Sequence, residues 1–358
     1  MNVVHLLLTG QPGGIEVLAY NIAQHSGNRN IMYFIFRGGS VADAMQEDGI
    51  PVVIANTPRY SWKDKIHEFI QYCRTEKIDV VVNHMDSPVA CAFVCALKKA
   101  LPDIKILSYL HCDARDVVKG IKGQLVYRTF GRWMQKRCDK VIAISEFVKQ
   151  AGMEAYGLPA QKVAVIHNGV DISRFRVSDQ NAGHSCMELI FVGRLIRGKG
   201  VHLLLEALTQ LPEDMAVRAK IVGFGPEYEN LQKQAEELRL QSKVEFLGKR
   251  MDVSELLGKA DYFVHPATLQ EGFGITLVEA MAVGKPCIAS NGGAVSEVMD
   301  ETTGFLFELG SVSDLVLKIT DAHRLIGTEQ YELMSRAARK RAENFDIDTM
   351  VRKLESLY

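Results

Sequence analysis

Short runs of aliphatic and β-branched residues alternate with stretches of helical periodicity along the whole 358-residue chain. "NVVHLLLTG" precedes a helical pattern from about Glu16, and "IMYFIFRG", "VVIAN", "DVVVNH", "KILSYLH", "KVIAIS" and "KVAVIHNG" follow in turn. Runs this short and this uniformly apolar suit strands buried on both faces of a parallel sheet. The rhythm predicts successive βαβ units. It breaks at "NGVDISRFRVSDQNAGHS", rich in Asn, Ser, Asp and Gly, which has the composition of a linker. It then restarts with "ELIFVGRL", a long helix, "RAKIVGFG", "EFLG", "YFVHPA", "PCIAS" and "TGFLF". The expected architecture is α/β, with two doubly wound, Rossmann-like domains facing across a cleft. They occupy residues 1–167 and 186–340, joined by a linker at 168–185. Ligands are expected at the carboxyl ends of the strands. The charged helix at 341–358 is a candidate to pack back on the first domain.

Length supports two cores, since 358 residues exceed one ordinary domain. A hydrophobic content of 47% and a charged content of 24% are those of a globular protein. The longest apolar runs fall far below the roughly 20 residues of a membrane span. "MNVVHLLLTG" has no basic n-region, so it reads as a first strand and points to the cytoplasm. Seven cysteines, odd in number and without a CxxC pair, fit reduced thiols better than disulfides or a zinc site. Cys91 and Cys95, four apart on a predicted helix, read as packed small residues. Charge is uneven: residues 1–166 carry 20 Lys/Arg against 15 Asp/Glu, and residues 167–358 carry 22 against 28. The first half is therefore the one more suited to an anionic partner.

Four stretches carry candidate chemistry. In "FVGRLIRGKG" a strand ends at Val192 and a helix begins near Val201, with Arg194 and Lys199 in the glycine-flexed loop between. Two cations at a strand end suit a diphosphate, whose leaving charge they neutralise, although a basic surface turn has the same pattern. The loop lacks GxxxxGK[ST] and is not a Walker A site. "IVGFGPEYENL" has Gly223 and Gly225 but Tyr228 where a dinucleotide fingerprint needs its third glycine, so no nicotinamide site is supported. A strand-to-helix turn with Pro226 in the first helical turn accounts for it.

The third stretch, "EGFGITLVEAMAVGKPCIAS", holds Glu271 and Glu279. Thr276-Leu277-Val278-Glu279 has the T-x-x-E form of a capping box, which makes Glu279 a helix cap. The same helix start, behind Gly272-Phe273-Gly274, offers backbone N–H groups and a positive dipole end to a phosphate. Glu279 can then accept from vicinal hydroxyls of a ribose or hexose, with Glu271 on the other side of the seat. Fourth, His111 in "SYLHCDAR" follows a strand, and Asn83 and His84 close "DVVVNHMDS". His111 reads either as a site residue or as a strand-end polar residue bonded to Asp113.

"PGGIEVLAYNIA", "HNGVD", "GRLIRGKG", "VGFGPE" and the E-x7-E pair followed by "GKPCIAS" occur in that order. In this the chain resembles the retaining glycosyltransferases of the GT-B fold, family 4, the glycosyl transferases group 1. The resemblance implies that Arg194 and Lys199 bind the donor diphosphate and that Glu279 holds the nucleotide ribose. Glu271 then stands beside the donor sugar, with the backbone of Gly272, Phe273, Gly274 and Ile275 near it. Leu277 and Val278 flank the nucleotide, and Lys249, Arg250 and Met251 lie where the base is read. Gly13 and Gly14 match the first-domain loop near phosphates and acceptor, and His111 matches a histidine touching the transferred sugar. Asn83 and His84 are candidates for the acceptor side. The resemblance implies same-face attack, with no dedicated nucleophile or general base. Lys199, Arg194, Glu271 and His111 then position the substrates and stabilise charge. No metal or other cofactor is expected, since no Asp-x-Asp motif stands at a strand end. The donor expected is a UDP-sugar, with a GDP-sugar second, and the acceptor a glycan or polyprenyl-linked glycan of bacterial surface polysaccharide. No nucleic-acid partner is expected.

Residues 117–140, "VVKGIKGQLVYRTFGRWMQKRCDK", interleave Lys119, Lys122, Arg128, Arg132, Lys136, Arg137 and Lys140 with Leu125, Phe130, Trp133 and Met134. Such a helix either lies on an anionic membrane or exposes a solvated basic face. A nucleotide-sugar epimerase, a sugar phosphorylase and a non-catalytic sugar-binding protein are the competing readings. The first lacks an identifiable water-activating set, the second a recognisable pyridoxal lysine, and the third would not need the two cations.

Overall fold

The computed structural model describes residues 1–57, 62–115, 121–175 and 186–358. It divides into two compact units, Met1–Gly169 with Ile347–Tyr358, and Val170–Asp346. Of the predicted linker, residues 176–185 lie outside the described residues, as do residues 117–120 of the basic stretch.

Among the described residues the first unit has seven strands: β1 (Asn2–Thr9), β2 (Arg29–Arg37), β3 (Val52–Ile54), β4 (Val80–Asn83), β5 (Lys105–Leu110), β6 (Lys140–Ala143) and β7 (Val163–Val165). Their order is β3-β2-β1-β4-β5-β6-β7, and every pairing is parallel. Each apolar run of the first series is a strand. The sheet is buried on both faces because neighbouring residues go to separate cores. Leu6 and Tyr33 pack with Phe69 and Phe93, whereas Leu7 and Phe34 pack with Ala19, Ala42 and Met45. Continuous apolar strands are the sequence consequence of that arrangement.

The second unit repeats the plan with β8 (Met187–Val192), β9 (Val217–Val222), β10 (Val244–Gly248), β11 (Tyr262–His265), β12 (Cys287–Asn291) and β13 (Gly304–Glu308). Its order, β10-β9-β8-β11-β12-β13, is again all parallel. In each unit the winding direction reverses once, between β1 and β4 and between β8 and β11. The loops leaving those strands diverge there, and the crevice between them is where open α/β sheets take ligands.

The chain re-enters the first unit at Ile347. The helix Ile347–Glu355 is anchored by His25 Nδ1 to Asp348 Oδ1 at 2.7 Å, and Ser26 and Asn28 both donate to Glu355, at 2.6 and 2.8 Å. Gly169 N–H donates to Met350 Sδ at 3.0 Å.

One glycine sets the geometry of the second switch point. Gly200 caps the helix Val201–Gln210 in the left-handed region, at φ +72°, and a Cβ there would overlap the carbonyl of Pro266 just past β11. Gly310 shares the conformation, at φ +79°, but has open space around it. Gly310→Ala should therefore cost only the left-handed backbone penalty, about 1–2 kcal/mol. Gly200→Ala should cost clearly more, because backbone must also move. Parallel urea denaturation of the two variants checks this, and equal losses would mean that the loop yields freely.

Candidate functional site

The site of the second unit is built from loops after β8, β11 and β12. After Val192 the chain forms a 3-10 turn, Arg197–Lys199, before Gly200 turns it into the helix. Thr268 N–H donates to Gly198 O at 2.9 Å, which ties this loop to the one after β11. Lys199 Nζ stands 2.5 Å from Glu271 Oε2, and His265 Nε2 lies 3.2 Å from the same oxygen. The backbone of Glu271 is fixed as well. It bridges to Gly293, and Ala294 N–H donates to Glu271 O at 2.8 Å. Gly293 is left-handed, at φ +64°, and a Cβ on it would overlap the Glu271 backbone. Burial opposes the charge on Glu271, but the close His265 ring and the Lys199 ammonium outweigh it. Its carboxyl is held well below the usual range. Such a group orients and attracts; it does not deliver protons.

The helix Ile275–Ala282 opens beside Glu271. Its N-cap is Gly274, at φ +90°, with no side-chain cap. This corrects the capping-box expectation: the glycine lets the helix begin before Thr276, so Glu279 lies in its second turn, beyond reach of the cap. The amides of Leu277 and Val278 already donate to Gly274 O, at 3.0 and 3.4 Å. Those of Ile275 and Thr276 are the ones at the open helix end. The Leu277 and Val278 side chains are fully buried, so what these positions offer to a flanking ligand is backbone. Phe273 is buried too, its ring edge-on to Phe345 with centroids 5.4 Å apart, so only backbone of Gly272–Gly274 can meet a ligand through this turn. Glu279 is half-buried, one helical turn beyond Ile275 on the same face. Burial pushes its carboxyl up to about 7.

Arg194 is exposed on the loop after β8. Arg250 and Met251 follow β10; the Arg250 guanidinium is engaged by Asp252 at 2.6 and 2.8 Å, and Met251 is 92% exposed. Pro226 precedes the helix Tyr228–Glu237 rather than standing in its first turn, because Glu227 is the cap.

In the first unit Gly13 caps the helix Gly14–His25, and a Cβ on Gly13 would meet the Glu16 carboxylate, whereas Gly14 faces open space. Asn83 is fully buried, donating to Met85 O at 2.8 Å and Ser108 Oγ at 3.1 Å. Its placement on an acceptor surface is thereby corrected, and so is that of His84, 1% exposed. A strand-final polar residue in a sheet covered on both faces can still be interior. His111 does not bond Asp113, which is taken by Arg115 at 2.8 Å. It bonds His84 instead, Nε2 to Nδ1 at 3.2 Å.

Sequence reasoning missed His265, visible only as the polar residue ending "YFVH", and it missed His5 within an apolar strand. All seven cysteines are free, and Cys91 and Cys95 lie together in the core with sulfurs 3.9 Å apart. Among the described residues no group of three or more His, Cys, Asp or Glu is arranged to hold a metal ion.

Comparison with known proteins extends this geometry. Residues 12–174 match the family described as Glycosyltransferase Family 4, and residues 180–341 match Glycosyl transferases group 1. WcaL of Escherichia coli (strain K12), a glycosyltransferase named for colanic acid biosynthesis, is 31% identical over 232 residues. Those residues are 62% of this chain and 57% of WcaL, so the match spans little more than half of that relative. A UDP-Gal:α-D-GlcNAc-diphosphoundecaprenol α-1,3-galactosyltransferase of Escherichia coli is 25% identical over 331 residues, 88% of this chain and 84% of that protein. The crystal structure of Anabaena Alr3699/HepE in complex with UDP matches with a TM-score of 0.86 at 26% identity, over 99% of each chain. Two parallel-sheet units wound alike, and two family matches that meet between them, have one reading: the chain belongs to the GT-B glycosyltransferases of family 4, the glycosyl transferases group 1.

Proposed function

We propose that this chain transfers a sugar from a UDP-sugar to a hydroxyl of a glycan or polyprenyl-linked acceptor, with retention of configuration, in bacterial surface polysaccharide synthesis on the cytoplasmic side. The observation that carries the reading is the Lys199–Glu271–His265 cluster beside the open end of the helix Ile275–Ala282, with Glu279 on that helix. Cations and helix amides together form a seat for a diphosphate. Arg194 and Lys199 neutralise it, and Ile275 and Thr276 N–H groups meet its oxygens. Glu279 accepts from the ribose hydroxyls, and Glu271, held ionised, faces the donor sugar. The UDP seen in the related Anabaena protein supports the choice of nucleotide, and the diphosphoundecaprenol substrate named for the Escherichia coli relative supports the acceptor.

Retention is what the family resemblance implies, and the pairing of Glu271 with Lys199 and His265 argues against that carboxylate as a covalent nucleophile. In the same-face route that this leaves, the departing phosphate takes the acceptor proton and the hydroxyl enters on the face that the phosphate leaves. The protein contributes position and charge stabilisation.

The helix Ile121–Arg137 extends the reading to where the acceptor is met. Val126, Phe130 and Trp133 follow i, i+4, i+7 spacing and, with Leu125, are 42–67% exposed. Arg132, Lys136 and Arg137 are exposed among them, and the Arg137 guanidinium stacks 4.2 Å over Trp133. Apolar residues that enter a headgroup layer and cations that meet its phosphates are the chemistry of an anionic membrane surface. No helix among the described residues is long and apolar enough to cross a membrane.

Three outcomes are expected. Lys199→Ala and Glu279→Ala should each lower sugar transfer by roughly 10²–10³, the usual loss for one electrostatic donor, with far-UV circular dichroism unchanged. Release of nucleoside diphosphate from a panel of UDP- and GDP-sugars measures this, and near-native rates in both variants would remove the assignment. Because Glu279 rests at about 7 when the site is empty, its carboxylate must be freed of a proton before it grips the ribose. UDP affinity should therefore strengthen as pH rises through about 7 more steeply in the native protein than in Glu279→Gln; parallel calorimetric profiles would contradict the role. Finally, the protein should float with anionic vesicles at low salt but not with zwitterionic ones. Phe130→Ser with Trp133→Ser should abolish flotation, and no binding of the native protein removes the membrane reading.

A further inference from the structure

Three histidines and an asparagine in the first unit form one hydrogen-bonded row that starts in the core and ends at His111. Asn30, at the start of β2, is 5% exposed and donates through Nδ2 to Asn28 O at 3.0 Å, which leaves Oδ1 as an acceptor. His5 Nε2 lies 3.0 Å from that oxygen, in the middle of β1. His5 Nδ1 lies 2.9 Å from His84 Nε2, and His84 Nδ1 lies 3.2 Å from His111 Nε2. The sheet order makes this possible, because β1 sits between β2 and β4, and β5 lies next to β4. Tyr109 stacks near-parallel on His84 and His111, centroids 5.2 and 5.1 Å away, and steadies both ring planes.

The row has only one consistent assignment of protons when the rings are neutral. An amide oxygen can only accept, so His5 must carry its proton on Nε2. His5 Nδ1 is then a lone pair, and His84 must donate to it from Nε2. His84 Nδ1 is a lone pair in turn, and His111 must donate to it from Nε2. Burial disfavours the imidazolium at every step: His5 is pushed down to about 4, His111 to about 3, and His84 well below its usual value. The row is not a proton relay, because its inner end is an amide that neither takes nor releases a proton.

We infer that Asn30, His5 and His84 are positioning residues that hold His111 in its Nε2–H tautomer, so that its Nδ1 is a fixed acceptor for a hydroxyl of the transferred sugar. No protein group among the described residues donates to that nitrogen. The identity of the hydroxyl rests on the glycosyltransferase reading; the tautomer does not.

Long-range proton–nitrogen NMR of the full chain labelled with ¹⁵N-histidine reads the tautomers without substrate. His5, His84 and His111 should each show a protonated Nε2 and a lone-pair Nδ1; an Nδ1–H form at His111 in the native protein overturns the inference. Asn30→Asp replaces the amide with a carboxylate that favours His5 as an imidazolium. His5 then donates from Nδ1, His84 and His111 flip in turn, and His111 presents N–H outward. The flip should raise the KM for nucleotide sugar about tenfold, the loss of one hydrogen bond, with kcat little changed. Asn30→Ser leaves a neutral hydroxyl that can accept from His5 or donate to it, so the row loses its bias and His111 should show both tautomers, with a KM between those of the native protein and Asn30→Asp. A folded Asn30→Asp protein with unchanged His111 resonances would also overturn the inference. If Asn30→Asp does not fold, the native spectrum alone decides. Failure of every nucleotide sugar to turn over would count against the glycosyltransferase reading and leave the tautomer result intact.

Discussion

One carboxylate organises the second unit. Glu271 takes Lys199 from the loop after β8 and His265 from the end of β11, while its backbone is bound to Gly293 and Ala294 after β12. Three parallel strands therefore end on a single residue. A parallel sheet supplies this focus because all its strands release their chains at the same edge. The carboxylate costs desolvation, and the pairings offset it; removing a partner from so buried a group leaves a charge that nothing answers. The glycines around it serve the same end. Gly200 and Gly293 bring backbone closer to Pro266 and Glu271 than any side chain would allow.

The two glutamates of the E-x7-E pair show environment overriding residue type. Eight positions apart, they titrate in opposite directions. Glu271 has a cation and a ring nitrogen beside it and stays ionised, whereas Glu279 has burial without a compensating charge and rises to about 7. In the proposed site the first is ready before a ligand arrives, and the second becomes a strong acceptor when a ligand's hydroxyls repay its desolvation. The E-x7-E pair thus divides into an ionised carboxylate and one raised by burial, which agrees with the proposed chemistry, where proton removal is left to the departing phosphate.

Much of the fold was legible because it rests on local rules. Each of the thirteen predicted runs is a strand among the described residues, and most are continuously apolar because burial on both faces leaves little room for polar alternation, whereas β9, with Arg218 exposed, does alternate. The helix start at Gly274 was less legible. T-x-x-E at Thr276 obeys the capping rule, yet a left-handed glycine two residues earlier took the cap, and φ cannot be read from a residue name. Asn83 and His84 misled for a related reason. A polar residue after an apolar run suggests a strand end facing solvent, but each of these finds its partner on a neighbouring strand and remains inside.

Pattern alone determined the repeated βαβ plan, the break between its two series and the ordered motifs of the family, because these depend on hydrophobic periodicity and on glycines near in sequence. Tertiary structure decided the partnerships. Lys199 meets Glu271 across 72 residues, His5 meets His84 across 79 and His25 meets Asp348 across 323. None of these pairs leaves a local mark. The first two exist because the strand order places β8 beside β11 and β1 beside β4, and the third because the chain returns to the first unit at Ile347; a side chain's protonation and bonding are set by what the fold brings within about 3 Å of it.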